Sequence, residues 1–338
     1  MEEIFKLYGW NVINNTAIHQ GLINSTYSIN TTQGDFIFQS INHHVFKTPK
    51  AIDNNINAIS NFFKKQDPTY LFTHLVPTQQ GKTLIEWEGG YYRAFQKIDG
   101  YALSVLENEN QVEEAAKQFS KFTQVLKGFE VELLQDTLPQ FHDLNLRYHQ
   151  FTTAIQNGDA QRIESTQEEI SFLKEHKKLV EIYDHFIKNK EAKKRVTHHD
   201  TKISNVLFNK VDGVEAAICV IDLDTVMAGH FISDVGDMCR TCLCAVSEEE
   251  KDLNKVKVDS KKWDALKKGY LKNMQSELSN FELDHFFYSG QFMIYMQALR
   301  FLTDHLNRDI YYGAKYEGQN LVRTQNQIRL LEAYNELA

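Results

Sequence analysis

No stretch of this chain approaches the roughly 18 uninterrupted apolar residues that a membrane-spanning helix needs, so none is expected. Basic charge is also short: 37 lysines and arginines face 45 aspartates and glutamates, a net charge of −8. That balance works against long-range attraction to phosphate backbones or anionic membranes, so neither nucleic acid nor a membrane is an expected partner. Cysteine is confined to four residues, all between Cys219 and Cys244, and a reducing compartment keeps such residues as thiols. The opening MEEIFKLYGW carries two acids where a signal peptide needs a basic and then an apolar region. The expectation is a cytoplasmic protein without disulfides. Proline is rare as well, and the last of four is Pro139, which suits a helical second half.

What is present suffices for a core. The chain has 338 residues, of which 42% are hydrophobic and 12% aromatic, enough for one large domain or two modest ones. Short stretches rich in β-branched and aromatic residues, at 26–29, 36–41, 70–76 and 91–95, alternate with turn signals such as Gln33-Gly34-Asp35 and Gly89-Gly90, and read as strands. One helix interrupts them, starting near Pro49 with Ile52, Ile56, Ile59 and Phe63 on one face. After Asp99-Gly100 the periods become helical: Ala115, Phe119, Phe122 and Leu126, then Phe172, Leu179, Tyr183 and Phe186, then 283–307 and 319–337. A small β island at 206–208 and 217–221 lies between them. The fold class is α+β in two lobes, a sheet-rich 1–98 and a larger helical 99–338, with a hinge near Lys97–Gly100.

The chemistry concentrates in VTHHDTKISNVLF, residues 196–208. His198-x-Asp200-x-x-x-x-Asn205 is the spacing of a phosphoryl-transfer loop, in which an aspartate accepts the proton of an attacking hydroxyl and an asparagine turns back to hold a metal ion. The competing reading is a polar surface turn. Downstream, AICVIDLD ends an apolar strand in Asp222 and Asp224. Acids at the tip of a buried strand need a positive partner, and a divalent ion bridging nucleotide phosphates supplies one; Asp224 alternatively caps a turn. Lys202 fits a contact to a transferring phosphate or a solvated loop residue. His198 is expected to pack against the metal-binding loop and His199 to be exposed. Asp234, opening a helix, is placed to accept hydrogen bonds from the catalytic-loop backbone. In HQGLINSTY, Gly21 permits a tight turn between strands, and Asn24, Ser25 and Thr26 offer phosphate donors, although one glycine between strands is also what a plain hairpin has. The Cys239-x-x-Cys242-x-Cys244 cluster lacks a second matching pair or a histidine at ligand spacing, so packed thiols are expected rather than zinc.

Taken in order, GLINSTY, FQSINHHVFKTP, HHDTKISNVL, CVIDLDTVMAGHFISDVGD and ALRFLTDHLNRDIYYG make the chain resemble the aminoglycoside phosphotransferase and choline kinase superfamily over nearly its whole length. Within that group it is most similar to the N-acetylhexosamine 1-kinases. The resemblance implies a protein-kinase-like fold and an enzyme that uses ATP and Mg²⁺ to phosphorylate the anomeric oxygen of a small-molecule sugar; separately, a monomer is expected. Carried onto this sequence, it makes Asp200 the base, with Lys202 beside it, Asn205 and Asp222 the metal ligands, and Asp234 the loop support. Gly21, Asn24, Ser25, Thr26, Gln39 and Lys97 become the nucleotide-binding positions, and Arg300, Tyr311 and Asp304 the sugar-binding ones. Arg300 and Asp304 stand at i and i+4 on one helical face, suited to sugar hydroxyls or to an ion pair with each other. Two departures stand out. Gln39 occupies the place of the strand lysine that grips the α- and β-phosphates, and its helix glutamate partner falls near Asn54, so that ion pair is absent, with Lys47 a substitute phosphate contact. Leu22 replaces the histidine that commonly follows the loop glycine and contacts sugar.

Overall fold

The structure, a computed structural model, describes residues 1–18 and 23–338; Gly21 and Leu22 of the proposed nucleotide loop lie outside the described residues. The chain opens with helix α1 (Glu2–Tyr8) and runs through β1 (Val12–Ile18), β2 (Ser25–Thr31), β3 (Gly34–Ile41), α2 (Pro49–Gln66), β4 (Ile85–Trp87) and β5 (Gly90–Gln96). These strands form an antiparallel sheet in the order β1-β2-β3-β5-β4. Alternation along β3 decides what each face meets. Phe36 and Phe38 turn outward into a small cluster with Phe5, Tyr8 and Trp10, whereas Ile37 and Ile41 turn inward to the main core.

The main core runs between the lobes. Ile52, Ile56, Ile59 and Phe63 of α2 share one cluster with Phe119, Phe122 and Val220 of the second half. Pro49 starts α2 at a position where a missing N–H costs nothing. Its fully buried Asn55 is a polar tie across the lobes, donating from Nδ2 to the Gln135 carbonyl at 2.8 Å and the Val226 carbonyl at 2.9 Å, and accepting from the Gln135 N–H at 2.8 Å. Replacing Asn55 by alanine strands the buried Val226 carbonyl and leaves the more exposed Gln135 N–H and carbonyl to water, so Asn55→Ala is expected to lower unfolding stability by about 1–3 kcal/mol. Urea denaturation reads this as a lower midpoint at unchanged slope.

The second half continues with β6 (Tyr101–Ala102), α3 (Glu109–Val125), α4 (Leu144–Asn157), α5 (Ala160–Ser165), α6 (Gln167–Glu175), α7 (Lys178–Lys188), β7 (Arg195–Thr197), β8 (Val206–Val211), β9 (Val214–Val220), β10 (Met227–Gly229), α8 (Phe231–Cys242), α9 (Ser260–Met274), α10 (Asn280–Asp284), α11 (Phe286–Leu306) and α12 (Gln319–Asn335). Helix α11 is the spine, buried nearly all round, with α8, α4 and α12 packed on it. Gly236 lets α8 close onto α11, since a Cβ there would stand 2.3 Å from the Ser289 carbonyl oxygen. The β island is a three-stranded sheet, β6-β8-β9, while β7 and β10 pair below it.

Two sequence readings need correction. Residues 70–76 do not form a strand but touch the sheet through a single bridge, Leu75 to Phe95. Pro68 and Pro77 bracket the stretch, limiting backbone angles and removing donors, and its apolar side chains are used in packing Tyr70 and Phe72 on Phe63. The face from Phe172 to Phe186 belongs to two helices, because α6 stops at His176 before α7 begins. Among the described residues, no helix is long and apolar enough to cross a membrane.

Candidate active site

The catalytic loop is held by its backbone. Residues 198–205 leave β7 and turn sharply at His199, whose φ is +63°. Two carboxylates of α8 fix that turn. Asp234 accepts the N–H groups of His198 at 3.0 Å and His199 at 2.8 Å, and Asp237, one turn later, accepts the N–H of Thr201 at 2.8 Å. Burial pushes the Asp234 carboxyl up to about 7, against the two backbone N–H groups that favour its charged form. Asp237 also pairs with Arg240, which in turn pairs with Glu248. The sequence reading assigned Asp234 this support and missed Asp237, although spacing of three on one helix face was a signal for it.

His198 is fully buried, with Nε2 at 2.9 Å from the Ile221 carbonyl and its ring edge-on to Phe119. Burial lowers its pKa, so it is neutral packing between the loop and the metal strand. His199 is not exposed as expected. The positive φ folds its ring inward, Nδ1 lies 3.2 Å from the Thr197 carbonyl, and the imidazole presses on Gly229, where a Cβ would stand 2.5 Å from Nε2. Burial brings its pKa down to about 4.

The remaining loop residues converge on Asp200, which stays partly exposed. Lys202 Nζ donates to its Oδ2 at 2.7 Å, and Asn205 Nδ2 donates to its Oδ2 and to its backbone carbonyl, both at 2.9 Å. Burial opposes the charge on Lys202, but the carboxylates of Asp200, Asp222 and Asp237 more than offset it and raise its pKa. With Nδ2 so used, Asn205 has its Oδ1 free of hydrogen bonds among the described residues.

Two residues past the end of β9 stands Asp222, which adopts left-handed backbone angles, φ +60° and ψ +63°, tolerated by aspartate. It keeps an exposed surface toward the cleft. Crowding by surrounding protein, then the charges of Asp224 and Asp200, push its carboxyl up to about 7 against the pull of Lys202 and Arg93. A carboxylate so placed is short of positive charge. Asp224 is buried and takes a different partner, Arg93 Nη2 of β5, together with Asn24 Nδ2 at 2.6 Å. It is therefore the anchor of a buried ion pair rather than a turn cap. The Asn24 amide is used twice, since its Oδ1 accepts the Asn42 N–H at 3.0 Å. Gln39 and Arg93 face each other across β3 and β5, and Gln39 Oε1 accepts from Arg93 Nε at 3.0 Å and Nη2 at 2.8 Å. Arg93 escaped the sequence reading because the pairing of β3 with β5 spans more than fifty residues.

The loop separates two hollows. One, about 370 Å³, lies between the lobes and is lined by Thr26, Gln39, Lys97, Lys202, Asn205 and Asp222 among others. The other, about 1200 Å³, has Asp200 on its wall with Arg300, Asp304 and Tyr311. Ser25 lines neither. Around the larger hollow the carboxylates are already engaged. Asp304 accepts the N–H groups of Tyr311 at 2.7 Å and Tyr312 at 2.9 Å and the amide of Asn320 at 3.1 Å. Asp159 pairs with Arg308. Arg300 forms no ion pair with Asp304 and lies instead over the rings of Phe141, Tyr311 and Tyr312, with Nη1 on Gln297. Helix position near Asn54 points to solvent.

The fold is matched by solved structures of low sequence identity. These include a spectinomycin phosphotransferase in complex with ADP and spectinomycin (12% identity, TM-score 0.60, 99% of this chain and 97% of that one). A microcompartment-associated aminopropanol kinase aligns at 14% identity, TM-score 0.66, over 99% and 96% of the chains. A choline kinase from Cryptosporidium parvum aligns at 13% identity, TM-score 0.55, over 99% and 92%. The architecture is thus that of protein-kinase-like phosphotransferases, a sheet-rich lobe over a helical one. A family model described as "Phosphotransferase enzyme family" matches residues 15–267, three-quarters of the sequence, and the chain belongs to that family of small-molecule phosphotransferases.

Proposed function

We propose that the protein transfers the γ-phosphoryl group of ATP to the anomeric hydroxyl of an N-acetylhexosamine, N-acetylglucosamine or N-acetylgalactosamine, giving the sugar 1-phosphate. The observation that carries the acceptor class is the charge around the larger hollow. Apart from Asp200, its carboxylates are already bonded to protein, while the Arg300 guanidinium has no acidic partner among the described residues. An ammonium acceptor needs free carboxylates or an open aromatic cage, and here a cation already occupies the rings of Phe141, Tyr311 and Tyr312. A neutral polyol with an amide carbonyl suits that lining.

In this reading ATP occupies the smaller hollow and the sugar the larger, with Asp200 on the wall of the larger and its partners Lys202 and Asn205 on the wall of the smaller. Asp200 takes the proton of the anomeric hydroxyl as its oxygen bonds to the γ-phosphorus and the bond from that phosphorus to the bridging oxygen of ADP breaks. A hemiacetal hydroxyl is more acidic than an ordinary alcohol, so an ordinary carboxylate suffices. Lys202 steadies Asp200 and offers its charge to the moving phosphoryl group. Among the described residues no three acidic, histidine or cysteine side chains form a ready metal cage, which fits a site that borrows phosphate oxygens. Asn205 Oδ1 and the Asp222 carboxylate are the free donors suited to Mg²⁺, which when bound neutralises phosphate charge. The two lobes, 1–98 and 99–338, close the cleft against water.

The test supplies purified protein with ATP, Mg²⁺ and a panel of N-acetylhexosamines, choline, aminopropanol and aminoglycosides. Sugar 1-phosphate is the expected product. Turnover of amines alone would assign the acceptor class of the choline and aminopropanol kinases instead, and no turnover with tight ATP binding would make the protein a nucleotide-binding module.

A further inference from the structure

The chain lacks the strand lysine of its family, and Gln39 stands in its place. A nucleotide cleft with the Asp222 carboxylate on its wall and Asp224 buried nearby cannot receive a triphosphate without cations placed to meet it. Lys202 is tied to Asp200, and Lys97 lies at the rim, exposed and at 3.4 Å from Ser28 Oγ. The third cation is Arg93.

Arg93 lines the smaller hollow and is 1% exposed. Its position is the cross-strand partner of Gln39, so its guanidinium is delivered to the same part of the cleft by β5 instead of β3. Of its N–H groups, those on Nε and Nη2 are directed at Gln39 Oε1 and Asp224. Those on Nη1 are buried with no partner at all among the described residues. A buried guanidinium with two donors unused is costly and needs an explanation. The surroundings hold it firmly: Gln39 is itself oriented by donating from Nε2 to Thr26 Oγ1 at 3.1 Å, and Asp224 is braced by Asn24 at 2.6 Å. Asp53 of α2, beside the exposed Asn54, feels the charge of Arg93 and has its own Oδ1 buried without a hydrogen bond, but makes no ion pair with it.

We infer that Arg93 is the phosphate-binding cation of this protein, its free Nη1 meeting the nucleotide's α- and β-phosphates, with Gln39 and Asp224 as the residues that position it. The inference rests on the phosphotransferase reading of the cleft and not on the identity of the acceptor. It gives a role to both departures from the family. Glutamine at 39 is a carbonyl rest for the guanidinium, where a lysine would repel it. The acidic partner comes from the metal strand rather than from the helix, so the nucleotide loop, through Asn24, and the metal strand, through Asp224, are joined to the same cation.

The test measures ADP and adenosine affinities by calorimetry, without any acceptor. Arg93→Gln is made together with Asp224→Asn, which removes the buried pair as a unit and leaves amides that can bond to each other. A distorted cleft weakens both ligands, whereas a missing phosphate cation weakens only ADP. Loss of roughly 10- to 100-fold in ADP affinity is expected, with adenosine unchanged. Adding Gln39→Lys to this background, which returns the charge from the opposite strand, is expected to recover much of the loss. Affinities for ADP within about twofold of the parent protein, or equal losses for ADP and adenosine, would overturn the inference. If the double variant does not fold, Arg93→Lys, which keeps a cation for Asp224 but lacks the second arm, is read by the same ratio. Failure of the parent protein to bind ADP removes the phosphotransferase reading and this inference together; failure of the sugar panel with Arg93-dependent ADP binding removes only the sugar.

Discussion

Asp200→Asn is expected to cut the phosphoryl-transfer rate by roughly 10³-fold or more while leaving ADP affinity unchanged, because it removes the proton acceptor and nothing that holds nucleotide. Asparagine has the shape of aspartate, and the loop around position 200 does not depend on that side chain. Its N–H groups at 198, 199 and 201 are fixed by Asp234 and Asp237, and Asn205 Nδ2 still has the backbone carbonyl of residue 200 to bond. What changes is that the side chain no longer takes a proton and Lys202 loses its ionic partner. Initial rates with ATP and the productive acceptor, paired with calorimetry of ADP, separate the two effects. A variant retaining more than about a tenth of the rate would show that Asp200 is not the base, because positioned general-base catalysis contributes far more than that.

That separation of backbone from side chain also explains what was legible in the sequence. Periodicity reports burial, so α2, α3 and α12 are visible as apolar stripes and α11 as a long apolar run, and the spacing of His198, Asp200 and Asn205 is visible because one short loop carries all three. Strand β1 is not visible. Its residues 12–17 are exposed, so no alternation marks Val12–Ile18, and only pairing with β2 makes it a strand. Arg93 is the sharper case. A charged residue between Tyr92 and Ala94 looks like a solvent position until β3 and β5 are paired, which turns Gln39 and Arg93 to the same inner face. His199 fails for a local reason: a positive φ at a non-glycine residue reverses the direction of the side chain, and nothing in the neighbouring letters announces it. The helical lobe shows the converse, since Asp234 and Asp237 are readable as one helix face but their targets are backbone groups of another segment.

Asp222→Asn is expected to act in two opposite directions. Activity should fall by roughly 10²- to 10⁴-fold, with a raised Mg²⁺ requirement, since the free carboxylate proposed to hold the metal is gone. Metal-free protein should instead become more stable. Asp222 crowds against Asp224 and Asp200, and its carboxyl, ordinarily near 3.8, is pushed up to about 7. A carboxyl whose pKa is raised by folding binds its proton more tightly in the folded state, so its contribution to stability is full below about pH 4 and is lost as pH rises toward about 7. Above that, the folded protein carries an ionised group that the unfolded chain holds more comfortably. Asparagine, which tolerates the same left-handed backbone, removes that cost. Melting curves in a chelator should therefore show Asp222→Asn above the parent protein at about pH 8, with the difference shrinking toward about pH 5. Added Mg²⁺ with ADP should narrow the gap by raising the parent protein more than the variant. A variant less stable than the parent at about pH 8 without metal would mean that Asp222 is held by partners of its own, and the case for it as a metal ligand would fall with that result.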